Sequence, residues 1–416
     1  MPPIRGSIRA SAGRMSEAKP TMTSTGPHPE TPRIGKSLWN DAWRKLRRNR
    51  VAMISLGALV LVILSAFFTP LIPLQPSDQV QTSRQFTSPT FVGHPADRLK
   101  ISLEEIRQAT HEAEELRKTS LAETAGDDDT RQAFLKERIH DTYMRPYRDA
   151  GFSTDIGPLT RWMIRARITL FGDYSIPSLC GRDQLGRDTL ARIFWGARVS
   201  LIVGLVATLV SLVIGVSYGA ISGYFGGQTD AMMMRLVDIL YSVPFIFVVI
   251  FLLTILGEED VKKGLAQYGI NRITIFYVVV GAIYWLTMAR VVRGQVLSLK
   301  NELFVEAARA AGAGTFRIIS RHLVPNVLSV VIVYLTLTIP RVMLFEAFLS
   351  FLGLGVQSPD VSWGLLAKEG LEVITPVRTY WWLVVFPSIA IGVTLFALNF
   401  FGDSLRDALD PRLRDS

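Results

Sequence analysis

Cysteine is almost missing: Cys180 is the only one in 416 residues, which excludes an internal disulfide and a Cys-rich metal site. Nucleotide and metal chemistry lack their signatures as well. Gly35-Lys36-Ser37 ends like a phosphate-binding loop, but position 30, where its first glycine belongs, holds Glu30. His111-Glu112 opens like a zinc-protease motif, yet Glu115 stands where the second histidine is needed. Gly215-Val216-Ser217-Tyr218-Gly219 matches a hydrolase nucleophile elbow letter for letter. It lies in an apolar stretch with no strand-to-helix turn and no acid–histidine pair nearby, so the match has no chemistry behind it. No catalytic residue, metal or cofactor is expected, and the chain does not read as an enzyme. Any ATP-driven step needs ATP and Mg bound by another polypeptide.

Charge is nearly absent from six long blocks, near 51–70, 199–221, 236–256, 273–292, 327–351 and 380–401. Hydrophobic residues make up 49% of the chain, and the blocks are long enough to cross a bilayer, which takes roughly 20 apolar residues as a helix. An all-α polytopic membrane protein with six transmembrane helices is expected. The net charge of +9 sits largely beside the blocks, in Arg44, Lys45, Arg47, Arg48 and Arg50 and again in Arg290 and Arg293. That placement points to membrane topology and away from nucleic acid. Basic short flanks face the cytoplasm, so the N-terminus, the 291–325 loop and the C-terminal tail belong inside. Arg182, Arg187, Arg192 and Arg198 run against the rule, being placed outside just before the second helix.

The expected organisation is a disordered cytoplasmic tail over 1–36, with Met15 as an alternative start, and an amphipathic lead-in plus helix 1 over 37–75. A large external loop over 76–197 follows, then a five-helix core over 198–403 carrying a loop over 293–325, and a cytoplasmic tail over 404–416. Within the external loop, Leu103, Ile106, Ala109, Ala113 and Leu116 recur at helical steps, which predicts an amphipathic helix, either a surface cap or a docking surface for an external partner. Asp127-Asp128-Asp129 reads as a solvated turn. Gly215, Gly219 and Gly223 are four apart, the spacing that lets two membrane helices approach closely. Asp238 reads as a helix cap. The stretch from Gly353 to Gly370, holding Pro359 and Trp363, is too broken for a span and reads as an external gate or re-entrant turn.

The loop before the fifth block carries the sharpest pattern. Leu303 to Ala311 is a run of helix formers containing Glu306, Ala307 and Ala308. Gly312 and Gly314 release the chain, Thr315 is placed to cap a second short helix, and Phe316, Ile319 and Leu323 share one face. His322 and then Pro325 mark the start of the next span. The product is a helix–turn–helix knob, thin along Ala307 and Ala308 and polar at Arg309, Arg317 and Arg321.

This string, Glu306-Ala307-Ala308, then Gly312, then His322-Leu323-Val324-Pro325, resembles the EAA loop of ABC importer permeases. Further strings are similar to the C-type permease of oligopeptide and dipeptide importers: Ser37 to Asp41, Gly181 to Asp188, Met288 to Gln295, Leu344 to Gly355, Ser362 to Gly364 and Gly402 to Pro411. Together they span 37–70 and 180–413. The resemblance implies the type I importer permease fold in a bacterial inner membrane. It implies a second homologous permease completing the passage, two cytoplasmic ATPases and an external substrate-binding protein. Glu306 through Pro325 is then the coupling helix that docks on an ATPase. Which peptide is carried is not implied, and the long external segment from 76 to 180 exceeds the usual length. Arg341, next to Pro340, is an intramembrane charge and with Glu346 a candidate to line the passage. The competing reading is a stand-alone secondary transporter of small solutes. That class favours inverted repeats and paired intramembrane carboxylates, and neither is seen.

Overall fold

Apolar segments in a bilayer must satisfy their backbone groups internally, and helices do so. The computed structural model describes residues 38–123, 129–152, 156–256, 258, 261, 264–265, 272–358 and 360–409, and these form no strand beyond an isolated bridge between Arg182 and Asp188. The expectations for residues 1–36, Met15, Asp127–Asp128, Pro359 and the tail from 410 fall outside them. The chain is an all-α polytopic membrane protein.

A lead-in helix, α1 (Leu38–Arg48), turns at Asn49 into α2 (Arg50–Phe68). The Asn49 side chain caps α2 by accepting from the N–H groups of Val51 and Ala52, at 3.0 and 3.2 Å. Helix α6 (Thr189–Phe225) includes a π-helical turn at Ser211–Gly215. It starts nine residues ahead of the expected core boundary at 198, because the Asp188 side chain caps it through the Ala191 N–H at 2.8 Å. Helices α7 (Gly227–Ser242) and α8 (Phe245–Leu256) meet at an 82° bend. Pro244 at the break keeps Val243 extended, at φ −79° and ψ 126°. Asp238 lies inside α7 and not at its start, so it caps nothing; it pairs with Arg290 at 2.7 Å.

Helix α9 (Arg272–Leu299) reaches past 293, so the connecting loop is shorter than expected. The knob helix α10 (Leu303–Ala310) follows, then α11 (Thr315–Phe351), a short α12 (Trp363–Glu372) and α13 (Trp382–Leu409). The C-terminal tail expected from 404 is therefore helical to Leu409. Helix α12 fills the broken stretch before the last span, with Trp363, Gly364, Leu365, Leu366 and Gly370 buried.

Five helices are long and apolar enough to span, and the bent α7–α8 pair makes the sixth. Packing decides that the pair counts. Gly223 of α6 abuts Val296 of α9, Gly215 abuts Met288, and Val210 abuts Gly281, so α6 and α9 run parallel. The chain between them must return to the other end of the bundle.

The segment between α2 and α6 builds its own core. Helices α3 (Leu103–Glu123), α4 (Asp129–Asp149) and α5 (Pro158–Phe171) close around Ile106, Met144, Tyr147, Phe152, Ile164 and Ile168. On α3, Ile106, Ala109 and Ala113 are buried while Leu103 and Leu116 are half-buried, so the amphipathic face has an internal partner.

Candidate functional site

The knob begins where α9 ends. Helix α10 stops in a Schellman motif: the Ala313 N–H donates to Ala308 O and the Gly312 N–H to Arg309 O, both at 3.0 Å. Gly312 takes φ +81°, a conformation costly for a residue with a Cβ. Gly314, not Thr315, occupies the cap position of the next helix, and no side chain bonds there. Nor is that helix a separate short element. It runs unbroken through Pro325 to Phe351 as α11, with a π-helical stretch at Ile318–Leu323. Pro325 has no N–H to offer one turn back, and π turns of this kind recur at functional sites.

The knob is rooted and crowned differently. Val305, Ile318 and Leu323 are buried in a cluster with Val216, Met288, Val292 and Val296 of the bundle. Leu303 is 81% and Phe316 83% exposed, and Glu306, Ala307, Gly312 and Pro325 are exposed beside them. Ala308 and His322 are half-buried. The Asn326 side chain donates to the His322 carbonyl at 2.6 Å.

The interhelical seam holding this root is made by small residues. A Cβ built on Gly215 would lie 2.6 Å from Met288 Cβ, one on Gly219 2.4 Å from the Ala289 carbonyl oxygen, and one on Gly223 2.9 Å from the Arg293 carbonyl oxygen. All three meet α9. Beside them Arg293 grips Asp230 through Nε and Nη2, both at 2.5 Å, and Ser222 donates to the same carboxylate. A two-pronged guanidinium–carboxylate contact fixes orientation as well as charge. The sequence reading missed this pair, because Asp230 and Arg293 are 63 residues apart.

Arg341 and Glu346 do not come together. Glu346 is 1% exposed and accepts hydrogen bonds from Ser200 Oγ at 3.2 Å and Ser350 Oγ at 2.8 Å. Ser362 joins through Ser350, and the Trp363 N–H donates to Ser200 Oγ at 3.3 Å. Glu346 thus staples α6, α11 and the start of α12, and a passage-lining place for it is corrected by this burial. Arg341 instead is exposed and opens on a cavity of about 400 Å³ between α11 and α13, lined also by Tyr334, Leu337 and Arg406. Arg406 was not singled out as its neighbour from sequence.

At the other end, the Gly181–Asp188 turn is a buried charge network. Arg182 pairs with Asp97 and donates to Gln75 Oε1, both at 2.5 Å. Arg192 pairs with Asp183 at 2.8 Å and Glu369 at 2.5 Å, and Arg187 with Asp183 at 2.7 Å. Arg84 also reaches Asp97. Three of the four arginines that run against the charge rule, Arg182, Arg187 and Arg192, are therefore neutralised inside the protein, while Arg198 donates to Thr160. Burial pushes the Asp188 carboxyl up to about 6 and the Cys180 thiol up to about 12. Among the described residues, no group of three or more His, Cys, Asp and Glu is arranged to hold a metal.

Comparison with known proteins agrees with this architecture. Residues 215–415 match the binding-protein-dependent transport system inner membrane component family, and residues 37–89 match the N-terminal TM domain of oligopeptide transport permease C. The dipeptide transport system permease protein DppC of Bacillus subtilis (strain 168) is 46% identical over 234 residues, 56% of this chain and 68% of its own. The oligopeptide transport system permease proteins OppC of Haemophilus influenzae and Escherichia coli (strain K12) are 48% and 49% identical over 236 residues, 56% of this chain and 70% and 72% of theirs. The chain belongs to the family of binding-protein-dependent transport system inner membrane components, in the branch of permease C.

Proposed function

We propose that this chain is the C-type permease of an ATP-driven peptide importer in a bacterial inner membrane, forming half of a passage that a second, homologous permease completes. It has no catalytic site of its own. ATP and Mg are bound by two cytoplasmic ATPases, one of which receives the knob, and an external binding protein delivers the peptide. Both termini and the knob lie in the cytoplasm. Oligopeptides or dipeptides are the substrates suggested by the relatives' names. A stand-alone secondary transporter is not favoured.

One observation carries the reading: the knob displays Leu303 and Phe316 to solvent while its root, Val305, is fully buried in the bundle. Exposed apolar side chains on a rigid mount are the makings of an interface. A short helix seated in this way transmits a rigid-body movement between partner and spans. The exposure of Arg341 on a cavity supports a role for it in meeting a peptide carboxylate in the passage.

Co-expression with the cognate ATPases tests this. Glu306→Ala and Gly312→Trp are expected to release the ATPases from washed membranes and to lower peptide uptake at least several-fold. Full retention with normal uptake in both variants defeats the coupling role, and uptake driven by a proton gradient without ATPases favours the secondary transporter.

A further inference from the structure

Helix α5 has two apolar faces, and the protein core uses one of them. Ile164 and Ile168 point inward to α3 and α4. On the other side Leu159, Trp162, Ala166 and Leu170 fall within an arc of about 80° of the helix. Trp162 is 63% and Leu170 67% exposed, and Tyr174 is exposed just beyond the helix end. The helix carries no acidic residue; of its arginines, Arg161 and Arg165 are half-buried against Tyr143 and Tyr147, and Arg167 is buried on Ser175. A helix bathed in water on that side has no reason to display Trp and Leu there.

Its location names what covers the patch. Thr160, in the first turn of α5, accepts from Arg198 Nη2 of α6 at 3.2 Å. The same guanidinium lies over the Trp195 ring at 5.0 Å, and Trp195 meets Phe152 edge-on. Arg198 heads a stripe of α6 that continues through Ile202, Leu205 and Leu209, all exposed on the outside of the bundle within a membrane span. Helix α5 thus sits at the top of an outward-facing span surface, where hydrocarbon gives way to headgroups. That level favours Trp and Tyr, and it is where amphipathic helices lie in the membrane plane. Residues 90–214, α5 among them, fall outside both family matches.

We propose that α5 lies in the membrane interface at the end of the bundle opposite the knob, with Leu159, Trp162 and Leu170 set into the boundary between headgroups and acyl chains. The segment between α2 and α6 is then moored to the bilayer along α5 as well as to the spans. Lipid, not a protein partner, covers this face.

Site-directed spin labelling tests the mooring. The full chain, alone and with its co-purified subunits, is placed in nanodiscs of phosphatidylethanolamine and phosphatidylglycerol with nitroxides at Trp162→Cys or Leu170→Cys. Gln108→Cys, on the outward face of α3, serves as the water-facing reference. Collision with oxygen over collision with a nickel chelate is expected to be several-fold higher at 162 and 170 than at 108, in both preparations. Free access of the nickel chelate to 162 and 170 places α5 in water and overturns the proposal. Protection from both reagents means that protein covers the face, and overturns it too.

Discussion

Gly219 is the tightest of the three glycines on the seam, because its Cβ position points at the backbone oxygen of Ala289 and not at a side chain that could move aside. Gly219→Val therefore forces α6 away from α9, and overpacking of this kind costs about 1–3 kcal/mol. Gly57, inside α2, has nothing within 4 Å of its Cβ position, so Gly57→Val is a matched control that should not lower stability. Thermal unfolding of the two variants in detergent reads the difference, and equal melting temperatures would remove the close-packing account. The small-residue spacing was readable in the sequence; the partner helix was not. The same limit applied to Glu346. Its position in an apolar block marked it as unusual, but Ser200, which hydrogen-bonds it, stands 146 residues earlier. A buried carboxyl satisfied by hydroxyls and one lining a passage look identical until those hydroxyls are placed.

Among the elements, apolar blocks located the spans well and their ends poorly. A block ends where polar residues begin, but a helix ends where its backbone groups find other partners. Helix α6 extends out to Asp188 because Arg192 is paired within the protein to Asp183 and Glu369. Pairing also explains why the charge rule faltered at this turn: it counts charges that face water or headgroups, and these are buried. Asp188 makes the turn sensitive to pH. Its Oδ1 is buried with no hydrogen-bond partner, and its pKa rises from 3.8 to about 6. The native state therefore keeps a proton that the unfolded chain gives up. The stability from that proton is complete below pH about 4 and lost as the pH rises through about 6, a difference of about 3 kcal/mol. Asp188→Asn retains an acceptor for the Ala191 N–H and cannot titrate. The stability of the wild type relative to this variant should fall by about that amount between pH about 4 and 7, measured by thermal unfolding. Two parallel pH curves would show that Asp188 does not titrate in this range. Burial also raises the pKa of Asp78, but that contribution is common to both proteins.

The path of the whole chain follows from a few contacts between distant residues. Asn49 donates to Ser404, and Lys300 to the Gly223 carbonyl, which gathers the start of α2, the end of α13 and the knob at one end of the bundle. Thr69 donates to the Phe194 carbonyl, and Arg192 pairs with Glu369, which sets α5, α12 and the charge network at the other. A helix of 37 residues such as α6 is ~55 Å long, so the two ends are separated by more than a bilayer's hydrocarbon. Because α6 and α9 are parallel, three crossings lie between Gln108 and Asn301, the middle one supplied by the bent α7–α8 pair. An odd number puts these two residues on opposite sides of the membrane. Cys180 is buried and its thiol is held protonated, so single cysteines introduced at exposed positions report without background. With a membrane-impermeant maleimide, Gln108→Cys should be labelled in intact spheroplasts and Asn301→Cys only in inside-out vesicles. Labelling of both from the same side would mean that the bent pair turns back within the membrane. The parallel packing of α6 on α9 would then have to be abandoned, since no chain could make it without that third crossing.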